Sequence, residues 1–140
     1  MSAVLRQRQR IVKVRRIQHG LAANAAAAAA GRVRSLELSR ERLLQMRAEL
    51  KVVQGPTSGQ TLAQTGELAM RLDSARLGLG PTIDSARSAA ASREAERLIA
   101  RRDQESAEKL EDIAVRAAEA LAEQKLRGVF RRRARIQTGD

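Results

Sequence analysis

The stretch HGLAANAAAAAAGR, His19–Arg32, decides how the chain is read. Six consecutive alanines, Ala25–Ala30, follow the pair Arg15-Arg16 and close on Gly31. A run of small apolar residues behind paired arginines has the outline of an export signal. The apolar region is poor, because Gln18, His19 and Asn24 interrupt it and Arg32 and Arg34 follow at once. Nowhere do about 18 apolar residues run together, so no membrane-spanning helix is expected. Alanine is the strongest helix former, and helical spacing continues through the stretch on both sides. It reads as one seam of a long helix.

Working outward, the apolar positions are Val14, Ile17, Leu21, Ala25, Ala28, Arg32/Val33, Leu36, Ser39, Leu43, Met46, Leu50 and Val53. Steps of three and four residues mark a stripe that packs on another helix along its length. The eleven residues from Val14 to Ala25 precede heptad steps, so the supercoil is expected to vary along the arm. Gly20, Asn24, Ala27 and Gly31 form a small-residue strip beside the stripe. These glycines are read as tolerated, at roughly 1 kcal/mol each relative to alanine.

The first helix, about residues 4–53, is expected to end at QGPTSGQT, with a bend over 55–60. Gly55 suits a C-cap and Pro56 cannot continue a helix. Thr57 or Ser58 is the expected N-cap of the next segment, with Thr61 as a second candidate. Leu62, Thr65, Ala69 and Leu72 resume helical spacing over about 61–77. GLGP, Gly78–Pro81, reads as a break, since proline suits the first turn of a new helix. A long helix over about 82–136 then carries Ile83, Ala86, Ala90, Leu98, Leu110, Ile113, Ala117 and Leu121. Between Arg101 and Lys109 only Ala107 is apolar, and this span reads as solvated.

The fold class is therefore all-α: one antiparallel two-helix coiled-coil hairpin domain, 1–140, with a broken second arm. The first arm would be roughly 75 Å long at 1.5 Å per residue. With the turn near Pro56, Ile17 lies level with about Leu98, and Val4 with about Leu110. The last turns, FRRRAR, then project past the N-terminus as a single helix. Pairing sets the basic first arm beside Glu94, Glu96, Asp103, Glu105, Glu108, Glu111 and Asp112. Cross-helix ion pairs would then fix register, each contributing under about 1 kcal/mol.

Composition narrows the function. The 140 residues include one Phe, no Tyr, no Trp and no Cys, so neither a disulfide framework nor a thiol nucleophile is available. The net charge of +11 sits at the two ends. Met1–Arg34 holds eight basic residues and no acid; Lys125–Asp140 holds six and one. Catalysis is not expected. The one histidine, His19, reads as solvated on a basic face, and GLGP lacks the lysine and hydroxyl of a phosphate loop. No metal or cofactor is expected either.

The basic opening VLRQRQRIVKVRRIQHGLAA, the alanine-rich arm, the glycine-containing bend and the second arm EAERLIARRDQESAEKLEDIAVRAAEALAEQK with its basic end resemble the FliJ family of flagellar export proteins. These are relatives of the stalk proteins of type III secretion. The likeness covers most of the chain and rests on pattern, length and order. It implies a non-enzymatic coiled-coil stalk at the cytoplasmic face of the inner membrane. Its partners would be a hexameric flagellar export ATPase, an export gate membrane protein and export chaperones. A rod with charge confined to its ends suits an acidic ring, and Arg6, Arg8, Arg10, Arg131, Arg132, Arg133 and Arg135 are the candidate ATPase-end residues. Leu43, Met46, Leu50, Leu68 and Leu72 are the candidate partner residues at the bend, where most of the contacts close the hairpin. The alternatives are a basic helical nucleic-acid-binding protein and a purely structural coiled-coil adaptor. Nucleic acid is disfavoured, because no aromatics are available to stack on bases.

Overall fold

The computed structural model describes residues 2–50 and 58–139. They form two helices and no strand: α1, Ala3–Leu50, and α2, Gly59–Thr138, packed as an all-α hairpin. Ser2 caps α1, its Oγ accepting from the Leu5 amide at 3.2 Å. Ser58 caps α2, its Oγ accepting from the Thr61 amide at 3.2 Å. Of the two candidate caps ahead of Thr61, Ser58 therefore holds the position. Gly55 and Pro56, the expected stop, lie outside the described residues.

The packed residues fall into two units, Met1–Ala22 with Arg97–Asp140, and Ala23–Glu96. In the second unit α1 turns inward Ala26, Ala29, Val33, Leu36, Arg40, Leu43, Arg47 and Leu50, all buried or half-buried. Facing them α2 turns Thr65, Ala69, Leu72, Arg76, Leu79, Ile83, Ala86 and Ala90. Both sets repeat every seven residues, the knobs-into-holes pattern of a left-handed pair. Ile83, only 1% exposed, is its best-buried large side chain. Arg47 donates to Asp73 at 3.2 Å and Arg87 to Glu37 at 2.7 Å, which sets the antiparallel register. Glu37 raises the Arg87 pKa, first by its hydrogen bond and then by its charge.

In the first unit α1 turns inward Leu5, Arg8, Val12, Arg15, His19 and Ala22. α2 contributes Arg97, Ala100, Gln104, Ala107, Glu111, Ala114 and Ala118. This seam is markedly polar. Arg15 reaches Asp103 at 3.4 Å and Arg16 reaches Glu108 at 3.3 Å, so the apolar-poor span is a contact surface rather than a solvated one. Ala107 inside it is 5% exposed. These pairs place Ile17 nearer to Arg101 than to Leu98, a few residues from the expected register.

The seam of the N-terminal arm differs from expectation. Val14, Ile17 and Leu21 point outward at 52%, 64% and 66% exposure. Extending the Val33/Leu36/Leu43/Leu50 phase toward the N-terminus by sevens arrives at Ala26, His19, Val12 and Leu5. α1 is one uninterrupted helix that keeps the heptad phase of its C-terminal half, so the better apolar stripe is left on the far side. The expected eleven-residue step is therefore absent, and the seam keeps a strict heptad. In α2 the same argument turns Leu98, Leu110, Ile113, Ala117 and Leu121 outward.

The second arm is not broken at 78–81. α2 runs from Gly59 to Thr138 with Pro81 inside it, so the expected helices over 61–77 and 82–136 are one. Proline loses one helical hydrogen bond and crowds the carbonyl four residues back. The residue before a proline is normally driven from the helical region by clashes with its own Cβ and N–H. Gly80 has no Cβ, which removes part of that strain. Leu72, Leu79 and Ala86 hold the same heptad phase on both sides of Pro81, so packing on α1 favours continuity.

Candidate partner interface

Among the described residues no group of three acidic, histidine or cysteine side chains is placed to hold a metal ion. No helix is long and apolar enough to cross a membrane. A groove of about 560 Å³ lined by Ala29, Arg32, Pro81, Thr82, Ser85, Ala86 and Ala89 holds no acid and no histidine.

His19 does not sit on a solvated face. It occupies the same seam position as Leu5, Val12 and Ala26, is half-buried, and its Nε2 is buried with no hydrogen-bond partner. An unsatisfied buried polar atom costs about 1–3 kcal/mol. His19→Leu should therefore raise the thermal midpoint of the protein, by about 1 kcal/mol of stability or more. Thermal unfolding followed by circular dichroism checks this; a lower midpoint would mean that His19 makes a favourable contact.

Charge is divided unequally between the units. The first holds 17 basic and 8 acidic side chains, a net +9, and the second holds 10 and 8, a net +2. In the first unit the seam ties up part of the charge. Glu108 accepts from Gln104 at 3.0 Å and from Arg16 at 3.3 Å. Those two hydrogen bonds, Gln104's first, lower its pKa. The tie is thus present at neutral pH and is lost as pH falls through the lowered Glu108 value.

Beyond Ala118 the pairing stops. Every residue from Glu119 to Gly139 is exposed except the half-buried Gly128, so this part of α2 is a single helix, as the sequence pattern indicated. Arg131, Arg132, Arg133 and Arg135 stand on it, all exposed and with no ion pair to another described residue. Arg6 and Arg10 are exposed, but Arg8 is half-buried in the seam. Counting one heptad on from Arg15 and Gln104, Arg8 lies level with about Glu111. Arg131 is then about 20 residues farther along α2, roughly 30 Å at 1.5 Å per residue. The structure therefore does not bring the two arginine groups together.

No protein-family profile, curated protein or solved structure matches this chain.

The candidate bend residues divide by burial. Leu72 is 7% exposed and belongs to the core. Leu43 and Leu50 are half-buried seam residues. Met46 and Leu68 are exposed at 49% and 44% and remain accessible to a partner. Which side the leucines take follows from the heptad phase, which a list of apolar residues near a bend does not reveal. The buried His19 was readable from sequence only after that phase was known.

Proposed function

We propose that this chain is a non-enzymatic helical-hairpin docking protein whose basic unit engages an acidic partner. The observation that carries this reading is the single helix beyond Ala118, where four arginines in five positions stand clear of any neighbouring helix. Such residues cover more than one helix face, so one neighbour could not have paired them all. The specific form of the reading is the export stalk that the family resemblance implies. In that form the acidic partner is the inner rim of a hexameric flagellar export ATPase. The opposite end, with Met46 and Leu68, approaches the export gate, and export chaperones bind along the hairpin.

A pull-down against the export ATPase hexamer tests it. Changing Arg131, Arg132, Arg133 and Arg135 together to glutamine should leave helicity intact and weaken association roughly tenfold or more at low salt, because rim charges mainly set the association rate. The dependence on salt should also flatten, since charge-driven contact is screened over about 8 Å at physiological ionic strength. Unchanged affinity with an unchanged salt response would end the ring reading. A parallel salt series with duplex DNA separates it from nucleic-acid binding, whose affinity would fall steeply with salt.

A further inference from the structure

The single helix beyond Ala118 carries more than charge. Leu126, Val129 and Phe130 stand at i, i+3 and i+4, a spacing that aligns side chains on one face. They are 59%, 51% and 65% exposed, and Phe130 is the only aromatic residue of the chain. Arg127, Arg131 and Arg135 follow one another at steps of four along a different face, centred about 140° away at 100° per residue. No acid occurs from Gln124 to Gly139, while six basic residues do. A helix with an apolar strip and a cationic face lies in the plane of a bilayer surface, its strip among the acyl chains and its cations on the headgroups.

We propose that this helix docks on an anionic phospholipid surface. Charge complementarity selects that occupant. Arg127 reaches Glu123 at 3.9 Å, and the other five cations have no ion pair to a described residue; mobile anionic headgroups can pair them without a fixed register. Arg133 falls within the apolar arc, and its long stem lets the guanidinium reach the headgroups while the stem stays among apolar neighbours. Most helical stability comes from packing an apolar face, so burying the strip also supports this unpacked end of α2 as a helix. The inference goes beyond the export reading and does not rest on it. If both hold, the bilayer and the ATPase compete for Arg131 and Arg135.

Co-sedimentation of the full chain alone, at physiological salt, decides the matter. The probes are phosphatidylcholine vesicles with and without an equal admixture of phosphatidylglycerol. The chain should sediment with the anionic vesicles and bind neutral ones at least about tenfold more weakly. Each cation near such a surface multiplies binding roughly fivefold, so R127Q/R131Q/R135Q should lose about a hundredfold. L126Q/V129Q/F130Q keeps every charge and should still lose about tenfold or more, because the buried apolar strip is gone. Circular dichroism of each free variant shows that it still folds. Three results overturn the proposal: no preference for the anionic vesicles, full binding by the L126Q/V129Q/F130Q variant, or duplex DNA captured more tightly than vesicles with that variant unaffected. Loss of ATPase binding with vesicle binding intact would remove the ring reading alone.

Discussion

Ile83→Asp should unfold the second unit. Ile83 is 1% exposed between Ala86 and Leu79 in the heptad seam against α1. The core of the described chain is small: Leu5, Val12, Ala26, Leu72, Ile83, Ala86 and Ala107, of which three are alanines. Removing one of its few large side chains leaves little to take over. A carboxylate there would lose its hydration in a seam whose nearest positions on α2, Leu79 and Ala86, are apolar. We expect a loss of about 4 kcal/mol or more, the range reached only by core defects of this kind. Thermal and urea unfolding followed by circular dichroism would show it as a collapsed midpoint. Met70→Asp is the control: Met70 is 73% exposed on the same helix and the same unit, and the change should cost within about 0.5 kcal/mol. Equal effects of the two variants would show that the heptad phase assigned to α2 is wrong.

Pro81→Ala should stabilise the protein by about 3 kcal/mol, the usual cost of proline in a helix interior. Pro81 is exposed, so the change forfeits little packing, and it restores an amide able to donate to the Leu77 carbonyl. A Cβ at Gly78 would meet nothing within 4 Å, so Gly78→Ala should add roughly 1 kcal/mol by lowering the backbone entropy of the unfolded chain. The two positions are three residues apart on one helix, so the double variant measures any coupling between them as its departure from the sum of the singles. The measurement is the urea midpoint at constant slope. The outcome distinguishes two architectures. In a helix that begins afresh at Pro81, alanine would be neutral or unfavourable, because proline is favoured in a first turn. A neutral result would therefore restore the break over 78–81 and remove the single α2.

Much of the architecture was legible in the residues. Composition and steps of three and four residues indicated helices that pack as a hairpin, while Pro81 pointed to a break that α2 does not show. The excess length of the second arm followed from counting, and with it the single basic helix at its end; the expected bend lies largely outside the described residues. A hydroxyl cap past Pro56 was expected at Thr57 or Ser58, because a hydroxyl ahead of a helical pattern satisfies free amides, and Ser58 holds it.

Less of the candidate interface was legible. Arg131, Arg132, Arg133 and Arg135 were visible as a cluster set well beyond the N-terminal arginines, but that Arg8 is drawn into the seam was not. Ion pairs such as Arg15–Asp103 and Arg16–Glu108 depend on register, which shifts by several residues with the exact place of the turn.

The sequence by itself determined that this chain is helical, paired with itself, and in excess of positive charge at its two ends. Those properties are local or additive: helix propensity, apolar spacing and charge need no partner to be counted. Only the tertiary structure decided which of two apolar stripes on the N-terminal arm faces inward, and that α2 passes through Pro81 unbroken. Phase is a property of a whole rigid helix. Val33, Leu36, Leu43 and Leu50 commit α1 to one rotation about its axis, and Val14, Ile17 and Leu21 must then face outward although locally they make the better seam. At Pro81 the contest is between a local cost near 3 kcal/mol and the burial of Leu72, Ile83 and Ala86 in one phase, and the long-range packing prevails.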